Sequence, residues 1–405
     1  MIPQSTGAYR DGSERPNVEP MTTTQRPPAR AADDQAEPTT GTSPRPFLAA
    51  LEDRRLVLAN VGPNWFASVM GTSIVATAAA TLPVQVPGQL GFAQVVWVLA
   101  GLVLIAVSAA TVGHWVRHPE RARSHAGNPV MAHFYGAPPM ALLAFGAATI
   151  LVGGDLIGQS AAVWLDVVLW VLGTIYGLAT TVAVPYWAFT RHDVPEDGAF
   201  GGWLMPVVPP MVSAATGALL IPHTDPGQLR LTLFSLCWSM FGLSLLASLV
   251  VITLLWGRLA RHKVGAAAAV PTLWIVLGPL GQSITAANNL GTQAHLAVPA
   301  PFSTAFQAMG LVYGLPVWGF AMMWAAIAIA ITVRTARQHL PFSLTWWSFT
   351  FPVGTVVTGT SGLAAHSDDT FFTVAAVIFF LGLVAAWATV AVRTAHGVFT
   401  GHLLR

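Results

Sequence analysis

Thr355, Thr358, Thr360 and Ser361 place four hydroxyls in one uncharged stretch, Thr345 to Leu363, which reads TWWSFTFPVGTVVTGTSGL. Hydroxyls at this density can donate hydrogen bonds to a passing solute without carrying charge themselves. The stretch also holds Pro352 and, after it, Gly354, Gly359 and Gly362. It is long enough to cross a bilayer, but a lipid-facing helix has no use for so many small and polar residues. A helix at the centre of a bundle, or one lining a path, does. Phe351 stands directly before the proline, an apolar ring at mid-depth on a helix otherwise made narrow. The pattern predicts a pore-lining helix plugged by Phe351; the alternative is an ordinary core aromatic.

Similar donors recur in other apolar runs. Ser68, Thr72, Ser213, Thr216, Gln282, Ser283, Thr355 and Thr358 are assigned to the pore lining, with Ser73 and Thr285 in the same series. For any single hydroxyl, a bond across helices or back to its own carbonyls is the alternative; the collective pattern favours a path. No Lys or Arg lies mid-span in the runs that carry these donors. A weak neutral site suits rapid conduction, because a tightly held ion would not leave. No Asp or Glu lies mid-run either; Asp166 is near the outer end of its run, and all twelve histidines fall in loops or at helix ends. A proton-coupled carrier usually needs a titratable group inside the membrane. An intramembrane hydrolase needs a nucleophile with His or Asp, or metal ligands, and the sequence supplies neither. The chain reads as a non-enzyme, without catalytic residues, metal, cofactor or nucleic-acid partner. Asn288 and Asn289 could orient a solute or cap their run.

The elements that must position these residues are membrane helices. Of 405 residues, 54% are hydrophobic and only 9% are Asp, Glu, Lys or Arg, with a mean hydropathy of +0.60. A soluble domain of this length needs more charge on its surface, so the composition is that of a polytopic membrane protein. The one cysteine, Cys237, excludes internal disulfides and cysteine metal sites. Fifteen Trp against one Lys suit interfacial anchors. Residues 1–45 differ from the rest: eight of the seventeen acidic residues lie between Asp11 and Asp53, and composition predicts a disordered cytosolic tail. Residues 46–60 could form a short amphipathic pre-helix, with Pro46 in its first turn and Phe47, Leu48, Leu51 and Leu58 on its apolar side. Residues 61–395 form the ten-helix transmembrane domain, and 396–405 a short cytosolic tail.

Ten apolar runs fill that domain, near 62–82, 90–115, 133–153, 161–189, 203–221, 229–256, 270–290, 304–332, 342–364 and 370–392. Most reach about 20 residues, as a hydrocarbon core of about 30 Å requires. The odd runs are interrupted, with helix kinks assigned to Pro139, Pro209, Pro210, Pro279 and Pro352, and Gly62, Pro63 and Gly71 in the first. The even runs are longer and more aliphatic. This alternation predicts an all-α fold of five hairpins, each giving one inner and one outer helix, around a central pore. A proline break would start a half-helix at mid-depth, and five positive helix ends converging there would favour an anion without any fixed cation.

Several stretches then resemble the tellurite-resistance and dicarboxylate transporter family, which contains bacterial TehA and the plant guard-cell slow anion channels. They are GPNWFASVMGTSIVA at 62–76, NPVMAHFYGAPPMALL at 128–143, WLMPVVPPMVSAATGA at 203–218, GPLGQSITAANNLG at 278–291 and WWSFTFPVGT at 346–355. Together they cover nearly all of residues 60–395. The resemblance implies five hairpins around a pore, assembly as a homotrimer, and a pore blocked at mid-depth by a phenylalanine of the ninth helix. The matching residue is Phe351, with Phe349 as the runner-up. It also implies small-anion transport through a channel or facilitator, the alternative being a proton-coupled carrier of sulfite or of a malate-type C4-dicarboxylate. The expected partners are thus a small inorganic or organic anion and the lipid bilayer.

Orientation follows from Lys and Arg. Past residue 60, eleven of the twelve lie after even runs or at the C-terminus, and only Arg230 lies on the opposite side. This bias predicts a multi-pass protein of the cytoplasmic membrane with both termini cytosolic. A reporter fused after Arg405, or inserted between Arg258 and Lys263, should therefore read as cytosolic; a periplasmic signal from either fusion would overturn the ten-span topology.

Overall fold

The computed structural model describes residues 48, 50, 51 and 54–405. The tail expected at 1–45 lies outside the described residues, as does part of 46–60. Among the described residues every regular element is helical.

Broken segments alternate with long helices. A 3-10 turn, Pro63–Phe66, runs into α1 (Ala67–Thr81), and α2 (Gln89–Arg117) packs along it. After the short α3 (Pro119–Gly127), a 3-10 segment, Met131–Gly136, leads into α4 (Ala137–Ala148). That helix loosens into a π-helical turn, Thr149–Gly153, and ends in α5 (Gly154–Ile157); α6 (Gln159–Thr190) packs back on α4. The pattern recurs with Gly201–Leu204, α7 (Pro209–Leu220) and α8 (Gln228–His262). It recurs again with Ala267–Val276, α9 (Leu277–Ala297) and α10 (Phe302–Gln338), and last with Leu344–Phe349, α11 (Phe351–Ser367) and α12 (Thr370–Thr400). Near the chain start, Arg54–Leu58 forms one 3-10 turn. Leu48 and Ala50 donate backbone bonds of 2.9 Å to the carbonyls of Phe399 and Thr400, which ties this segment to the end of α12.

Proline decides where the broken segments change. Pro139 lies in the first turn of α4, Pro209 and Pro210 open α7, Pro279 is third in α9, and Pro352 is second in α11. An N–H there has no intrahelical partner, so its loss costs nothing, and proline's fixed φ suits a helix start. These residues therefore begin α-helices behind a 3-10 segment instead of bending one continuous helix. In the first segment the proline, Pro63, begins the 3-10 turn itself.

The α-helices of the five broken segments touch in a closed cycle: α1 with α4, α4 with α7, α7 with α9, α9 with α11, and α11 with α1. The long helices surround the cycle. The most apolar window of Ala267–Ala297 is 78% buried, against 17% for that of Thr370–Thr400. Large apolar side chains such as Ile105, Val182, Leu246 and Val312 face outward from the long helices. Among the described residues, seven segments are long and apolar enough to cross a membrane: α2, Met131–Ile157, α6, α8, Ala267–Ala297, α10 and α12. The other three inner helices, α1, α7 and α11, have 15, 12 and 17 residues, and at about 1.5 Å per residue each is short of a full span by itself.

Small residues let the cycle close. A methyl on Gly281 would stand 2.5 Å from the backbone carbonyl carbon of Thr355, and one on Gly71 would stand 2.6 Å from the Trp347 ring. One on Gly354 would collide with Ile74. The outer helices are then fastened by indole N–H groups. Trp97 of α2 donates to Thr149 Oγ1 (2.9 Å), Trp170 of α6 to the Ser213 carbonyl (2.9 Å), Trp318 of α10 to Thr360 Oγ1 (3.0 Å), and Trp387 of α12 to Thr72 Oγ1 (3.2 Å). Each bond joins an outer helix to the next broken segment around the cycle.

Gly281→Ala should lower the thermal unfolding midpoint of the purified protein, because overpacking costs about 1–3 kcal/mol. Gly242→Ala, where an added methyl meets nothing within 4 Å on α8, should leave it unchanged or raise it. Equal shifts at the two sites would contradict a cycle held by close backbone contact.

Candidate functional site

The cycle encloses two cavities stacked along its axis. The first, at the N-terminal ends of the inner helices, has a volume of about 30 Å³; the second, toward their C-terminal ends, about 260 Å³. Phe351 is the one residue that lines both. Its ring is 5% exposed. It is the first residue of α11, immediately before Pro352, so the backbone break that starts the helix also sets the depth of the ring.

The two cavities differ in chemistry. The small one is walled by Met70, Phe134, Met205, Ile275, Leu344 and other apolar groups, and holds about one water's worth of space. Val208, Gly278, Pro279 and Pro352 also line it, so the first turns of α7, α9 and α11 converge there with their partial positive charges. The wide cavity is mixed: Thr77, Thr81, Thr216, Gln282, Thr285, Asn289, Thr292, Thr358, Ser361 and His366 stand on its wall beside apolar groups such as Ile74, Leu151, Val212 and Leu219. No Asp, Glu, Lys or Arg lines either cavity.

Helical register selects the wall. α9 contributes Gln282, Thr285, Asn289 and Thr292; α1 contributes Ile74, Thr77 and Thr81; α4 and its π turn contribute Ala144, Ala147 and Leu151. Steps of three and four keep such residues on one face of a helix. Of the residues expected to line a pore, Thr216, Gln282 and Thr358 are on this wall, together with Phe351. Ser68, Thr72, Ser213, Ser283 and Thr355 lie on other faces and bond within the protein. Ser68 donates to the Trp65 carbonyl (2.7 Å), Thr72 to the Ser68 carbonyl (2.7 Å) and Thr355 to the Pro352 carbonyl (2.7 Å). Ser213 accepts from Thr174 (2.9 Å) and Ser283 from the Tyr313 hydroxyl (2.8 Å). Residue type selected these five; the three- and four-residue spacing of their neighbours is the signal that separates wall from back. The same spacing would have found Thr77, Thr81 and Thr292, and it groups with them Asn289 and Ser361, both singled out in the sequence. Asn288, beside Asn289, turns away and donates to the Ile284 carbonyl (2.9 Å).

Phe349 is not on the axis. It lies in a cleft that also touches α10 and α12, edge-on to Trp274 at 5.4 Å and to Trp346 at 5.6 Å.

The wall of the wide cavity carries two buried side-chain atoms without partners among the described residues. Gln282 is 4% exposed, and its Oε1 has no partner among the described residues; nor has Ser361 Oγ. The hydroxyls of Thr285 and Thr358 stand 2.8 Å apart across α9 and α11, and each also reaches a backbone carbonyl of its own helix at 3.1 Å. At the mouth, Thr292 Oγ1 and His366 Nε2 are 2.9 Å apart. Such a wall can solvate a small anion transiently with neutral donors, but it offers neither a nucleophile nor a fixed countercharge.

Comparisons with known proteins identify the family. The family model described as voltage-dependent anion channel matches residues 60–395. The sulfite efflux pump SSU1 of Arthroderma otae is 27% identical over 363 residues, covering 88% of this chain and 96% of the fungal protein. The sulfite efflux pump SSU1 of Trichophyton rubrum is 26% identical over 365 residues, with 88% and 96% covered. An uncharacterized transporter of Methanocaldococcus jannaschii is 26% identical over 367 residues, covering 89% of this chain and 99% of its own. With most of its length matched, the chain belongs to the voltage-dependent anion channel family.

Proposed function

We propose that the chain conducts a small anion through the centre of the five-helix cycle, and that the ring of Phe351 is the gate. The observation that carries this reading is the position of Phe351, shared by a small apolar cavity on one side and a wider cavity with hydroxyl and amide groups on the other. In this reading ten helices span the cytoplasmic membrane as five hairpins, and the small cavity faces the cytosol. The protomers assemble as a homotrimer, as the family resemblance implies, each with its own path.

Sulfite is the anion this reading favours. Relatives matched along nearly their whole length are sulfite efflux pumps. A compact oxyanion can exchange hydrogen bonds among Gln282, Thr285, Thr358 and Ser361 as it moves. A C4-dicarboxylate would bring two separated charges to walls that carry no Lys or Arg. Movement is uncoupled in this reading: His366, at the mouth, is the only titratable side chain on either wall, so nothing at the level of the ring can relay a proton.

Phe351→Ala should raise basal sulfite flux several-fold in proteoliposomes, with Phe351→Leu intermediate. Truncating a phenylalanine in a packed core costs about 3–5 kcal/mol. Phe351 borders space on two sides, so folded yield should fall less than that cost implies. Phe145→Ala, which removes a ring stacked on Trp97 at 6.0 Å, should not raise flux. Lower flux together with lower thermal stability in Phe351→Ala would make it a core aromatic and remove the gate.

The path itself can be mapped with thiols, since native Cys237 is fully buried. Gln282→Cys should react with a small methanethiosulfonate added to the intact protein. Ser283→Cys, one residue on and facing Tyr313, should stay protected. The reverse pattern would move the path off the wide cavity.

A further inference from the structure

Outside the ring, between the C-terminal ends of α8 and α10, lies a further cavity of about 660 Å³. Its inner wall is apolar, formed by Leu259, Ile327 and Ile331 with the Trp324 ring. Its rim is cationic. Lys263 and Arg334 both line it, and no Asp or Glu does. Among the described residues Arg334 has no hydrogen-bond or ion-pair partner, while Lys263 Nζ donates one bond, to the Ala260 carbonyl at 3.1 Å. Trp256, its ring centroid 6.2 Å from that of Trp324, is half exposed, and its indole N–H has no acceptor among the described residues.

Along α8 and α10 the order is Trp256 and Trp324 first, then Leu259, Ile327 and Ile331, and then Lys263 and Arg334 at the helix ends, so an apolar wall closes on a cationic rim. An acyl chain suits the Leu259, Ile327 and Ile331 wall. A phosphate suits paired cations at the ends of two helices. Two cations with no carboxylate beside them also select by charge, because a zwitterionic choline headgroup brings a cation of its own and an acidic lipid does not.

We infer that this cleft is a binding site for one anionic phospholipid, its phosphate held by Lys263 and Arg334 and one chain laid along α10. The leaflet, the cytoplasmic one, rests on the orientation proposed above; the binding does not. The site also touches the transport domain. Trp324 donates to the Leu273 carbonyl at 2.9 Å, two residues before Ile275 of the small cavity, so a lipid filling the cleft braces that wall from behind.

The test uses the purified full chain in detergent, read by native mass spectrometry and thermal unfolding. The probes are dioleoyl phosphatidylglycerol, dioleoyl phosphatidylcholine and inorganic phosphate. Phosphatidylglycerol should be retained at one molecule per protomer and raise the unfolding midpoint by several degrees, and the other two should do neither. Lys263→Gln with Arg334→Gln should weaken phosphatidylglycerol retention at least tenfold; Arg334→Gln alone serves if the double variant fails to fold. Arg191→Gln, a basic helix end elsewhere, should retain the lipid as the parent does. Equal retention of phosphatidylcholine, undiminished retention in the variants, or the same shift from phosphate alone would overturn the site. So would a loss of assembly mass in the double variant with lipid retention unchanged, which would assign the cleft to a second copy of the chain. No arm reads transport, so failure here leaves the central path untouched.

Discussion

Five helices can meet around one axis in a membrane only if their backbones approach closely. Lipid chains are as apolar as leucine, so no hydrophobic force gathers helices within the bilayer, and packing and hydrogen bonds must do it. Contacts of this kind are made at glycine: Gly71 against Trp347 and Thr350, Gly354 against Ile74 and Gly281 against the backbone of Thr355, while Gly217 lets α7 approach Cys237 of α8 and Trp170 of α6. Once these approaches are made, the cycle closes, and the wall stripes of all five helices are fixed relative to one another. The tryptophan bonds then hold the outer layer in register. Four outer helices make such a bond to the next segment, while on α8 the N–H of Trp238 is buried without a partner among the described residues. That ring is held instead by Phe306 at 5.1 Å and Phe241 at 5.2 Å. I,i+4 bonds of threonine to its own helix, as at Thr72 and Thr216, leave the hydroxyl oxygen able to accept a further bond, and Trp387 uses it at Thr72.

The second constraint is that irregular backbone at membrane depth is tolerated only where protein or a cavity covers it. The 3-10 to α junctions meet this condition because they lie inside the cycle. Each junction is a place where proline costs least, and the residue before proline is disfavoured from continuing a helix. Phe351 is such a residue. The same break therefore places an apolar ring on the axis, turns the start of α11 toward the small cavity, and separates an apolar wall from a mixed one.

Much of this was legible in the sequence, at the level of elements. The prolines and glycines of alternate runs identified the inner segments, and the lack of charge within them identified a neutral wall. Phe351 stood out because a bulky ring beside Pro352 is anomalous in a run of Gly, Ser and Thr. What was not legible was which way each hydroxyl faces. Ser283 and Gln282 are adjacent and of similar polarity, yet one bonds Tyr313 behind the wall and the other borders the cavity. The three- and four-residue spacing groups the polar residues of a helix into one stripe, but which way that stripe turns depends on tertiary contacts such as that of Gly281 with Thr355. Four of the fifteen tryptophans also have a second role that abundance alone does not reveal. Abundance suggested interfacial anchors; Trp97, Trp170, Trp318 and Trp387 bond inward. The short inner helices α1, α7 and α11 were read as full spans because a hydropathy run does not register where a 3-10 segment gives way to an α-helix.

A neutral wall has a consequence for how strongly it can hold an ion. Between them, Thr285 and Thr358 have two hydroxyl protons and three contacts that could use one: two backbone carbonyls and each other. An anion entering the wide cavity can accept from either hydroxyl only by diverting a proton already in use. Exchanging one hydrogen bond for another changes the free energy by only about 1 kcal/mol, or somewhat more when the acceptor is charged. Gln282 and Ser361, with unpartnered oxygens in the described structure, can reorient at still lower cost. The well along the proposed path is therefore shallow, and the positive ends of α7, α9 and α11 add attraction without a side chain that could bind the ion fast. In such a path selection rests on the small cavity: an ion that fits beside the displaced ring passes, and one that needs its full hydration shell does not. On the proposed path, affinity would be set by the neutral wall and rate by the ring, so the two could be altered independently at Gln282 and at Phe351.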